Sequence, residues 1–475
     1  MESLLVALGV SLYYLVLVAA VLVVFARKRD AASATSWALA ILLIPVGGLA
    51  LFLFFGRDRL PYRLKGKRRH RPEFARRLAK FIPVTTQGTA SREGYQGIGR
   101  IAEKTGNTPI REGNQVTGLL DGKSAFESIK QALIAARHHI HVEEYIFRDD
   151  SLGRELLELM CQRAREGVEV RLLVDAVGTG ASRKLIRQLQ QAGGQGRVFL
   201  PLFPFGKVLT PNLRNHRKII VCDGSVAFIG GMNVGDEYFG LKFRNRYWCD
   251  WHMRVQGPAT LDLQRVFVED WDFATGVELS GPQYFPAPQT CGNSRVQIVY
   301  SGPDEEVNST RQVFFAAITG ARQRVSISSP YFVPDLAMRE ALRSAALRGL
   351  QVEVLTQGYP PESWLTFLAS RYYWDELMAA GVKIYQHNAK VLHGKGVIID
   401  GQWAAVGSSN LDPRSLNLNF EVLGLLDSPQ DAAACQAFLD RMIADAHAVT
   451  RQSFAKRSLL AKSAESVVRL LSPIL

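Results

Sequence analysis

The chain has few cysteines, and they are scattered. They stand at positions 161, 222, 249, 291 and 435. An odd number without any C-x-x-C pair excludes a disulfide framework and the usual zinc-binding spacings. The histidines at 138, 139 and 141 have no partner spacing elsewhere, so we expect no metal there. Reduced thiols in a cytoplasmic compartment are the simplest interpretation.

Acidic residues are also in deficit. Lys and Arg number 57 against 44 Asp and Glu, which gives a net charge of +13. This charge suits phosphate-bearing partners, either nucleic acid or anionic lipid. The 475 residues exceed what one hydrophobic core usually holds, so two or three units are expected.

Charge is absent from two apolar runs near the amino terminus. Residues 3–26 and 36–56 contain no Asp, Glu, Lys or Arg, and each run is long enough to span a bilayer. Glu2 stands where a secretory signal would be basic, and the first run is too long for such a signal. We therefore expect two membrane helices within residues 1–58. A buried core hairpin and a shallow re-entrant hairpin are the alternatives.

Eleven basic residues follow within positions 57–80. The positive-inside rule then predicts that the rest of the chain faces the cytoplasm. Residues 59–109 are expected to form a basic juxtamembrane linker. Such a linker would attract anionic lipid or serve only as a solvated connection.

From about residue 110 the chain alternates helix and strand patterns, and it does so twice. The order helix, strand, helix, strand is predicted at 126–137, 140–147, 156–165 and 168–174, and again at 313–322, 325–333, 338–347 and 352–355. Matching positions are 177 to 185 residues apart, which indicates two homologous lobes, at 110–290 and 291–450. The predicted fold is α/β, with helix-covered, mixed but largely parallel sheets.

One motif occurs twice, as HRKIIVCDGSVAFIGGMN at 216–233 and HGKGVIIDGQWAAVGSSN at 393–410. Both copies fit H-x-K-x4-D-x6-G-[GS]-x-N. With six constrained positions, one copy has a chance frequency on the order of 10⁻⁸ per start site. Two copies in one chain are therefore not accidental.

Each copy has the pattern of a β-hairpin around an Asp-Gly turn. Side chains two apart on a strand share a face, which groups His216 with Lys218 and His393 with Lys395. A two-residue turn would pair residue 222 with 225 and residue 399 with 402. This register returns a small residue and an asparagine toward each histidine.

An imidazole, an ammonium and an amide that converge suit a phosphate group. They supply a nucleophile or acid, together with donors for the non-bridging oxygens. The amides are those of Asn233 and Asn410. Asp223 and Asp400 lie an odd number of residues from the lysines and open the turns, so their spacing indicates a structural role.

The paired motifs resemble those of the phospholipase D superfamily, whose two His-Lys-Asp motifs meet in one active site. WAL at 37–39, IPVGG at 44–48, FFGR at 54–57 and SPYFVPD at 329–335 are similar to segments of bacterial cardiolipin synthases. The resemblance covers nearly the whole chain. It implies two phospholipase D-like lobes behind an amino-terminal two-helix membrane anchor. The catalytic motif residues that it implies are His216, Lys218, Asp223, His393, Lys395 and Asp400.

The resemblance also implies the reaction. Two phosphatidylglycerol molecules would give cardiolipin and glycerol, without a metal or other cofactor. His216 would attack to form a phosphohistidine while His393 protonates the leaving alcohol. The implied partners are phosphatidylglycerol, other phospholipids and the anionic membrane surface, and not nucleic acid. The implied location is the bacterial inner membrane, as a multi-pass protein with cytoplasmic lobes.

Two carboxylates follow the motifs. Glu421 lies 28 residues beyond His393, and Asp250 lies 34 residues beyond His216. A histidine that acts on phosphate needs its second ring nitrogen held by a carboxylate. The superfamily has acidic residues at comparable distances, so the resemblance gives both carboxylates this orienting role. A surface or ion-pair carboxylate is the alternative.

Two features depart from the family pattern. Gly231 stands where the second motif has Ser408, which would give the first motif fewer phosphate contacts. Gly394 and Gly396 flank Lys395 where the family usually has bulkier residues.

Three other functions are open to such a chain. A phospholipase D that releases phosphatidic acid would use the same residues. A superfamily nuclease is disfavoured by the apolar runs, and a non-enzymatic membrane scaffold by the two complete motifs. The apolar stretch 200–213 could form a lip for lipid entry or a loop tucked under the lobe. Residues 451–475 form a basic amphipathic tail that would lie on the membrane or pack on the catalytic domain.

Overall fold

The computed structural model describes residues 2–27, 31–55, 62–82, 92–106, 108–180, 182–201, 212–239 and 247–474. The chain divides into two compact units. One contains Met1–Gly66 with Leu202–Asn212, and the other contains Lys67–Pro201 with Leu213–Leu475.

The smaller unit contains three helices, α1 (Glu2–Arg27), α2 (Ala31–Leu43) and α3 (Pro45–Phe55). Its buried side chains include Leu17, Val24, Ile41 and Phe52. The second predicted run is divided at residue 44, because a proline favours the first turn of a helix. Over the residues described, none of the helices combines the length and hydropathy that crossing a membrane requires. The two spans within 3–26 and 36–56 stay a prediction.

The larger unit repeats one arrangement of helices and strands. It begins within α4 (Tyr62–Leu78), followed by α5 (Gln96–Gly106). The first lobe then contains β1 (Arg111–Leu119), α6 (Gly122–Ala135), β2 (His139–Glu144), α7 (Ser151–Arg165), β3 (Glu169–Asp175), α8 (Ser182–Gln191), β4 (Gln195–Phe199), β5 (Arg214–Asn215), β6 (Ile219–Cys222), β7 (Val226–Gly230), β8 (Trp248–Cys249), β9 (His252–Gln256) and α9 (Thr260–Thr275).

The second lobe follows the same order and ends in a helical tail. It contains β10 (Ser294–Ser301), α10 (Ser309–Gly320), β11 (Arg324–Ser328), α11 (Leu336–Leu347), β12 (Gln351–Gln357), α12 (Trp364–Tyr372), α13 (Trp374–Ala379), β13 (Lys383–His387), β14 (Val391–Leu392), β15 (Gly396–Ile399), β16 (Trp403–Gly407), α14 (Pro413–Asn417), β17 (Asn419–Leu426), α15 (Pro429–Ala444), β18 (His447–Val449), α16 (Arg451–Ala455), α17 (Leu459–Val468) and a 3-10 helix (Arg469–Ile474). The helix–strand–helix–strand order predicted for both halves is confirmed.

The two lobes form one continuous sheet. Its strand order is β18-β13-β12-β11-β15-β16-β17-β10-β1-β9-β7-β6-β2-β3-β4, and β1 pairs antiparallel with β10 where the lobes meet. The mixed sheet is confirmed, but the expectation that it is largely parallel is wrong. Along this order only β2-β3-β4 and β11-β12-β13 run parallel. Each motif is itself a hairpin, which places antiparallel strands in the middle of each lobe.

Each lobe has a core of its own, and a third core belongs to both. Phe126, Leu156 and Phe228 lie in the first-lobe core. The second-lobe core is built around side chains such as Phe332 and Trp374. The shared core contains Ile219, Trp251, Tyr300, Ile398 and Val422. The lobes are therefore fused by packing as well as by hydrogen bonds.

Candidate active site

Both motifs form hairpins, but their register differs by one residue from the prediction. Cys222 lies opposite Val226, and Ile399 lies opposite Trp403. The predicted pairing of 222 with 225 and 399 with 402 is therefore wrong. A third residue enters each loop after the two turn residues, which have positive φ angles in both hairpins.

The two motif aspartates fasten these turns to a neighbouring strand. The Asp223 carboxylate accepts hydrogen bonds from the backbone N–H groups of residues 137–139, at 2.7 to 2.9 Å. The Asp400 carboxylate accepts equivalent bonds from residues 322–324, at 2.7 to 3.1 Å. Both aspartates thus lie at the end of the hairpin farthest from the histidine. These contacts favour a structural role, not the catalytic one that the resemblance implied.

The segments that carry the histidines pair with segments of the opposite lobe. β5 runs parallel to the start of β17, and β14 runs parallel to β8. The His216 N–H donates to the Phe420 carbonyl at 2.9 Å, and the His393 N–H donates to the Cys249 carbonyl at 2.8 Å. Each histidine is thereby placed beside a carboxylate that belongs to the other lobe.

The histidine–carboxylate pairs are consequently crossed. Nδ1 of His216 lies 3.0 and 3.1 Å from the two carboxylate oxygens of Glu421. Nδ1 of His393 lies 2.7 Å from Oδ2 of Asp250. All four side chains are buried. Burial acts to raise the pKa of Glu421, but His216 and Lys218 hold it below its usual value. An ionised carboxylate is thus available to orient each imidazole.

The Gly231/Ser408 difference between the motifs concerns these carboxylates. The Ser408 hydroxyl donates to Glu421. A Cβ added at Gly231 would lie 2.3 Å from Oδ1 of Asp250. A serine therefore cannot fit in the first motif while Asp250 keeps its position. The suggestion that the difference alters phosphate contacts finds no support in these contacts.

Two buried lysines complete the motif groups. Lys218 Nζ donates to the His216 carbonyl at 2.7 Å, and Lys395 Nζ lies 2.7 and 3.1 Å from the two ring nitrogens of His393. Burial and the charge of Lys395 lower the pKa of Lys218 to about 7. Burial also lowers the pKa of Lys395 to about 8. Desolvated cations of this kind attract an anionic group strongly.

The two motifs share one electrostatic environment. Burial lowers the pKa of His393 to about 3, with Lys395 and Lys218 contributing. Burial also lowers the pKa of His216, again with contributions from both lysines. Since each lysine acts on both histidines, the four groups converge. A phosphodiester anion between the lysines would offset their charge and raise the pKa of both imidazoles.

The motif asparagines lie in the same buried region. Asn233 Nδ2 donates at 2.7 Å to the Tyr238 hydroxyl, which lies 3.2 Å from His393 Nδ1. Asn410 is buried after the second hairpin. Among the residues that the structure describes, the side-chain oxygens of both asparagines lack a hydrogen-bond partner. Their assignment as phosphate-binding residues stays a prediction.

Aromatic rings line the histidines, and the sequence reasoning missed them. The Tyr145 ring lies 4.9 Å from that of His216. The rings of Trp248 and Tyr238 lie 5.1 and 5.5 Å from that of His393. Trp248 stands two residues before Asp250, which was the one available signal. Residues 202–211 of the apolar stretch proposed as a lip lie outside the described residues.

Trp251 explains one of the two glycines that flank Lys395. Its indole N–H donates to the Lys395 carbonyl at 2.8 Å. A Cβ at Gly396 would lie 2.2 Å from the indole ring, and one at Gly394 would lie 3.4 Å from it. A side chain larger than glycine at position 396 would therefore clash with the tryptophan of the first lobe, whereas the contact at Gly394 is an ordinary one.

The basic segment before the lobes also reaches the motif. Lys67 of α4 is buried and pairs with Asp270. Arg217, which lies between the motif histidine and lysine, pairs with the same carboxylate and donates to the Glu421 carbonyl at 3.2 Å. Residues 59–109 are predicted to form a basic juxtamembrane linker. From Lys67 to its end, α4 is part of the larger unit, which also carries both motifs and is called the catalytic unit below.

Comparison with known families covers both parts of the chain. The family described as cardiolipin synthase, PLD-like domain, matches residues 129–271 and 314–443. The family described as phospholipase D-nuclease N-terminal matches residues 15–57.

Individual relatives agree with these matches. A cardiolipin synthase of Halalkalibacterium halodurans is 37% identical over 96% of this chain and 91% of its own length. A cardiolipin synthase of Geobacillus kaustophilus is 36% identical with the same coverage. Among solved structures, a phosphatidylserine synthase of Haemophilus influenzae superimposes with a TM-score of 0.61 at 15% identity, over 80% of this chain and 100% of that one. That similarity concerns the fold alone.

Proposed function

The chain belongs to the cardiolipin synthase family of phospholipase D-like enzymes, and from this membership we propose a route by which its residues act. The protein makes cardiolipin from phospholipid by phosphatidyl transfer. We assign phosphatidylglycerol as both donor and acceptor and glycerol as the released alcohol. The observation that carries the route is the convergence of two histidines, each held by a carboxylate of the opposite lobe.

His216 is the nucleophile in this route. Its Nε2 lone pair forms the bond to phosphorus, while Glu421 at Nδ1 stabilises the positive charge that develops on the ring. The bond between phosphorus and the glycerol oxygen breaks, and His393 Nε2 gives its proton to that oxygen. The lysines and asparagines of the motifs bind the non-bridging oxygens. The bound anion raises the pKa of His393 from its low value, which lets it carry the proton.

The second half of the reaction reverses the first. A hydroxyl of the second phosphatidylglycerol gives its proton to His393 and attacks phosphorus. The bond from phosphorus to His216 breaks, and cardiolipin leaves. Water in place of this hydroxyl would yield phosphatidic acid instead. Supply of acceptor from a lipid surface, at high local concentration, favours transfer.

Product analysis tests the choice of acceptor. Full-length protein is incubated with phosphatidylglycerol vesicles, and we expect cardiolipin and glycerol in equal amounts. EDTA should leave the rate unchanged, since no step uses a metal. Phosphatidic acid as the main product would replace the synthase with a phospholipase D.

Trapping tests the histidine roles. After acid quenching with phosphate-labelled phosphatidylglycerol, we expect label on His216 in the wild type and none in His216→Ala. Turnover should be lost in both His216→Ala and His393→Ala. His447→Ala, at an exposed strand position, is the matched control and should behave as wild type. Label present in His216→Ala but absent in His393→Ala would reverse the assignment.

The enzyme is membrane-associated, as expected for an enzyme of phospholipid synthesis. We propose further that it is a multi-pass protein of the bacterial inner membrane with cytoplasmic lobes. The basic residues at 57–80 support this orientation. In a Cys291→Ser background, Asp30→Cys should react with an impermeant thiol reagent in intact cells and Ser91→Cys should not. The opposite labelling pattern would place the lobes outside.

A further inference from the structure

The carboxyl-terminal tail is docked on the second lobe by one of its faces. Phe454 is buried and stacks on Trp374, with 5.4 Å between ring centroids. Glu465, also buried, accepts a hydrogen bond from Arg371 at 2.7 Å and pairs with Arg457. Ser472 is buried beside the Tyr373 hydroxyl, at 3.4 Å. The tail therefore has a fixed orientation with respect to α12 and α13.

The opposite face of the tail is apolar and exposed. Leu459 and Leu460 are 82% and 84% exposed, and Val467 and Leu470 are 64% and 69% exposed. Helical periodicity places these side chains opposite Glu465 and Ser472. We call this surface the tail face; its members are Leu459, Leu460, Val467, Leu470 and Leu471.

Positive charge accompanies the tail face. Lys456 and Lys462 are exposed in the tail, whereas Arg469 stacks on the Tyr372 ring of the lobe at 4.3 Å. The acidic residue of α17 is turned inward and paired. An apolar face with exposed cations matches a bilayer of anionic lipid, where leucines enter the interface and lysines meet the headgroups. A soluble monomer rarely exposes a contiguous patch of this kind without a partner.

The helices that carry the tail face also contact elements that lie close to the active site. The 3-10 helix packs against α14, which begins three residues after Asn410. α12 follows directly after Glu362, whose carboxylate accepts from the Tyr331 hydroxyl at 2.8 Å. The charge of Glu362 acts on the motif lysine Lys395. A bilayer that contacts the tail face would therefore bring α12 and α14, which lie close to the motif residues, near the lipid surface.

We propose that the tail face is a membrane-docking surface that seats the catalytic unit on anionic lipid and presents phosphatidylglycerol headgroups to the site. It acts in addition to the amino-terminal segment. The proposal rests on the lipid substrate of the proposed function, but not on the assignment of the histidines.

The first test measures the depth of the tail face in the bilayer. Leu460→Cys, in a Cys291→Ser background, carries an environment-sensitive fluorophore on full-length protein reconstituted in phosphatidylglycerol vesicles. Leu347→Cys is the matched control, because this leucine is 71% exposed on α11, outside the tail face. We expect a blue shift and quenching by lipid-borne quenchers at position 460 and neither at position 347. Equal responses at the two positions would overturn the proposal.

A second test uses activity. The double variant Leu459→Ser/Leu460→Ser should lower the ratio of activity on vesicles to activity on dispersed short-chain phosphatidylglycerol by at least about tenfold, since each leucine loses its transfer into the interface. Leu347→Ser should keep the wild-type ratio. A double variant that keeps the wild-type ratio of vesicle activity to short-chain activity would refute docking. A wild-type protein without activity on either substrate would refute the proposed function instead.

The fluorophore also tests two alternatives, a second copy of the chain and a bilayer without net charge. A shift that grows with protein concentration in detergent without lipid would identify a second copy of the chain and overturn the proposal. Equal quenching in phosphatidylcholine and phosphatidylglycerol vesicles would overturn its electrostatic part. We expect stronger quenching with phosphatidylglycerol, and a decrease when salt is added.

Discussion

Glu421→Gln tests the crossed pairing directly. The substitution keeps the shape of the side chain and removes its charge. In the wild type the Glu421 carboxylate accepts hydrogen bonds from the His216 ring, the Ser408 hydroxyl and the Asn419 side-chain amide, the last at 3.1 Å. A glutamine must turn its NH₂ group toward one of these donors. One charge-assisted hydrogen bond is thereby lost in the transition state.

The magnitude follows from that bond. A hydrogen bond to a charged group contributes about 1.5–3 kcal/mol, and about 1.4 kcal/mol corresponds to a tenfold change in rate. We therefore expect kcat to fall by about 10- to 150-fold. KM should change little, because the positive charge on His216 develops only as the bond to phosphorus forms.

The pH dependence identifies which histidine is affected. Glu421 acts to raise the pKa of His216 against the effect of burial. Its loss lowers that pKa, so the imidazole stays neutral to lower pH. The acid limb of the kcat profile should move to lower pH. Asp250→Asn should instead move the alkaline limb to lower pH, because it weakens the protonated form of His393.

The assay is kcat at saturating phosphatidylglycerol across about pH 4–9, because kcat reports the substrate complex, in which the bound anion has raised the pKa of His393. Thermal unfolding of each variant is measured in parallel. Opposite limbs should respond in the two variants. If Glu421→Gln moves the alkaline limb and Asp250→Asn the acid limb, His393 is the nucleophile and His216 the acid, and the assignment of roles is refuted.

Three further sets of substitutions probe the supporting contacts. Gly231→Ser should lower kcat at least about tenfold by displacing Asp250, whereas Ser408→Gly should lower it only a few-fold; equal losses would contradict the clash at Gly231. Asp223→Asn and Asp400→Asn should lower the melting temperature, by the equivalent of about 1–3 kcal/mol, while kcat per folded molecule stays near wild type; a selective loss of kcat would make these aspartates catalytic. Lys67→Met should destabilise the catalytic unit by about 3–5 kcal/mol, because it leaves Asp270 with less compensation for its burial, and Lys67→Arg should lose less; calorimetry that finds no difference between the two would contradict the buried pair.

Local sequence patterns predicted which residues of each motif lie together, but not which carboxylate pairs with which histidine. Strand periodicity placed His216 beside Lys218, and spacing identified the aspartates as turn residues. Both results depend on contacts within one hairpin. The pairing of His216 with Glu421 depends on how the lobes pack, and no chain spacing encodes that. The one-residue register shift arose because the loop contains three residues, whereas the Asp-Gly pattern predicts two.

The remaining misses have the same origin. Lys67 lies in a run of basic residues, which is typical of a solvent-exposed segment. Only the structure shows that it is buried against Asp270. The tyrosine at 145 and the tryptophan at 248 follow no periodic pattern, since one comes just after the end of β2 and the other opens the two-residue strand β8. The largely antiparallel middle of the sheet was implicit in the two hairpins, but the alternation of helix and strand outweighed it in the prediction.

The continuous sheet and the shared core restrict how lipids can enter and leave. Enzymes built from two domains often admit substrate by swinging the domains apart about a hinge. Here β1 pairs with β10 across the junction of the lobes, so moving the lobes apart would break the sheet itself. The first alcohol must therefore depart, and the second lipid arrive, without a hinge motion between the lobes.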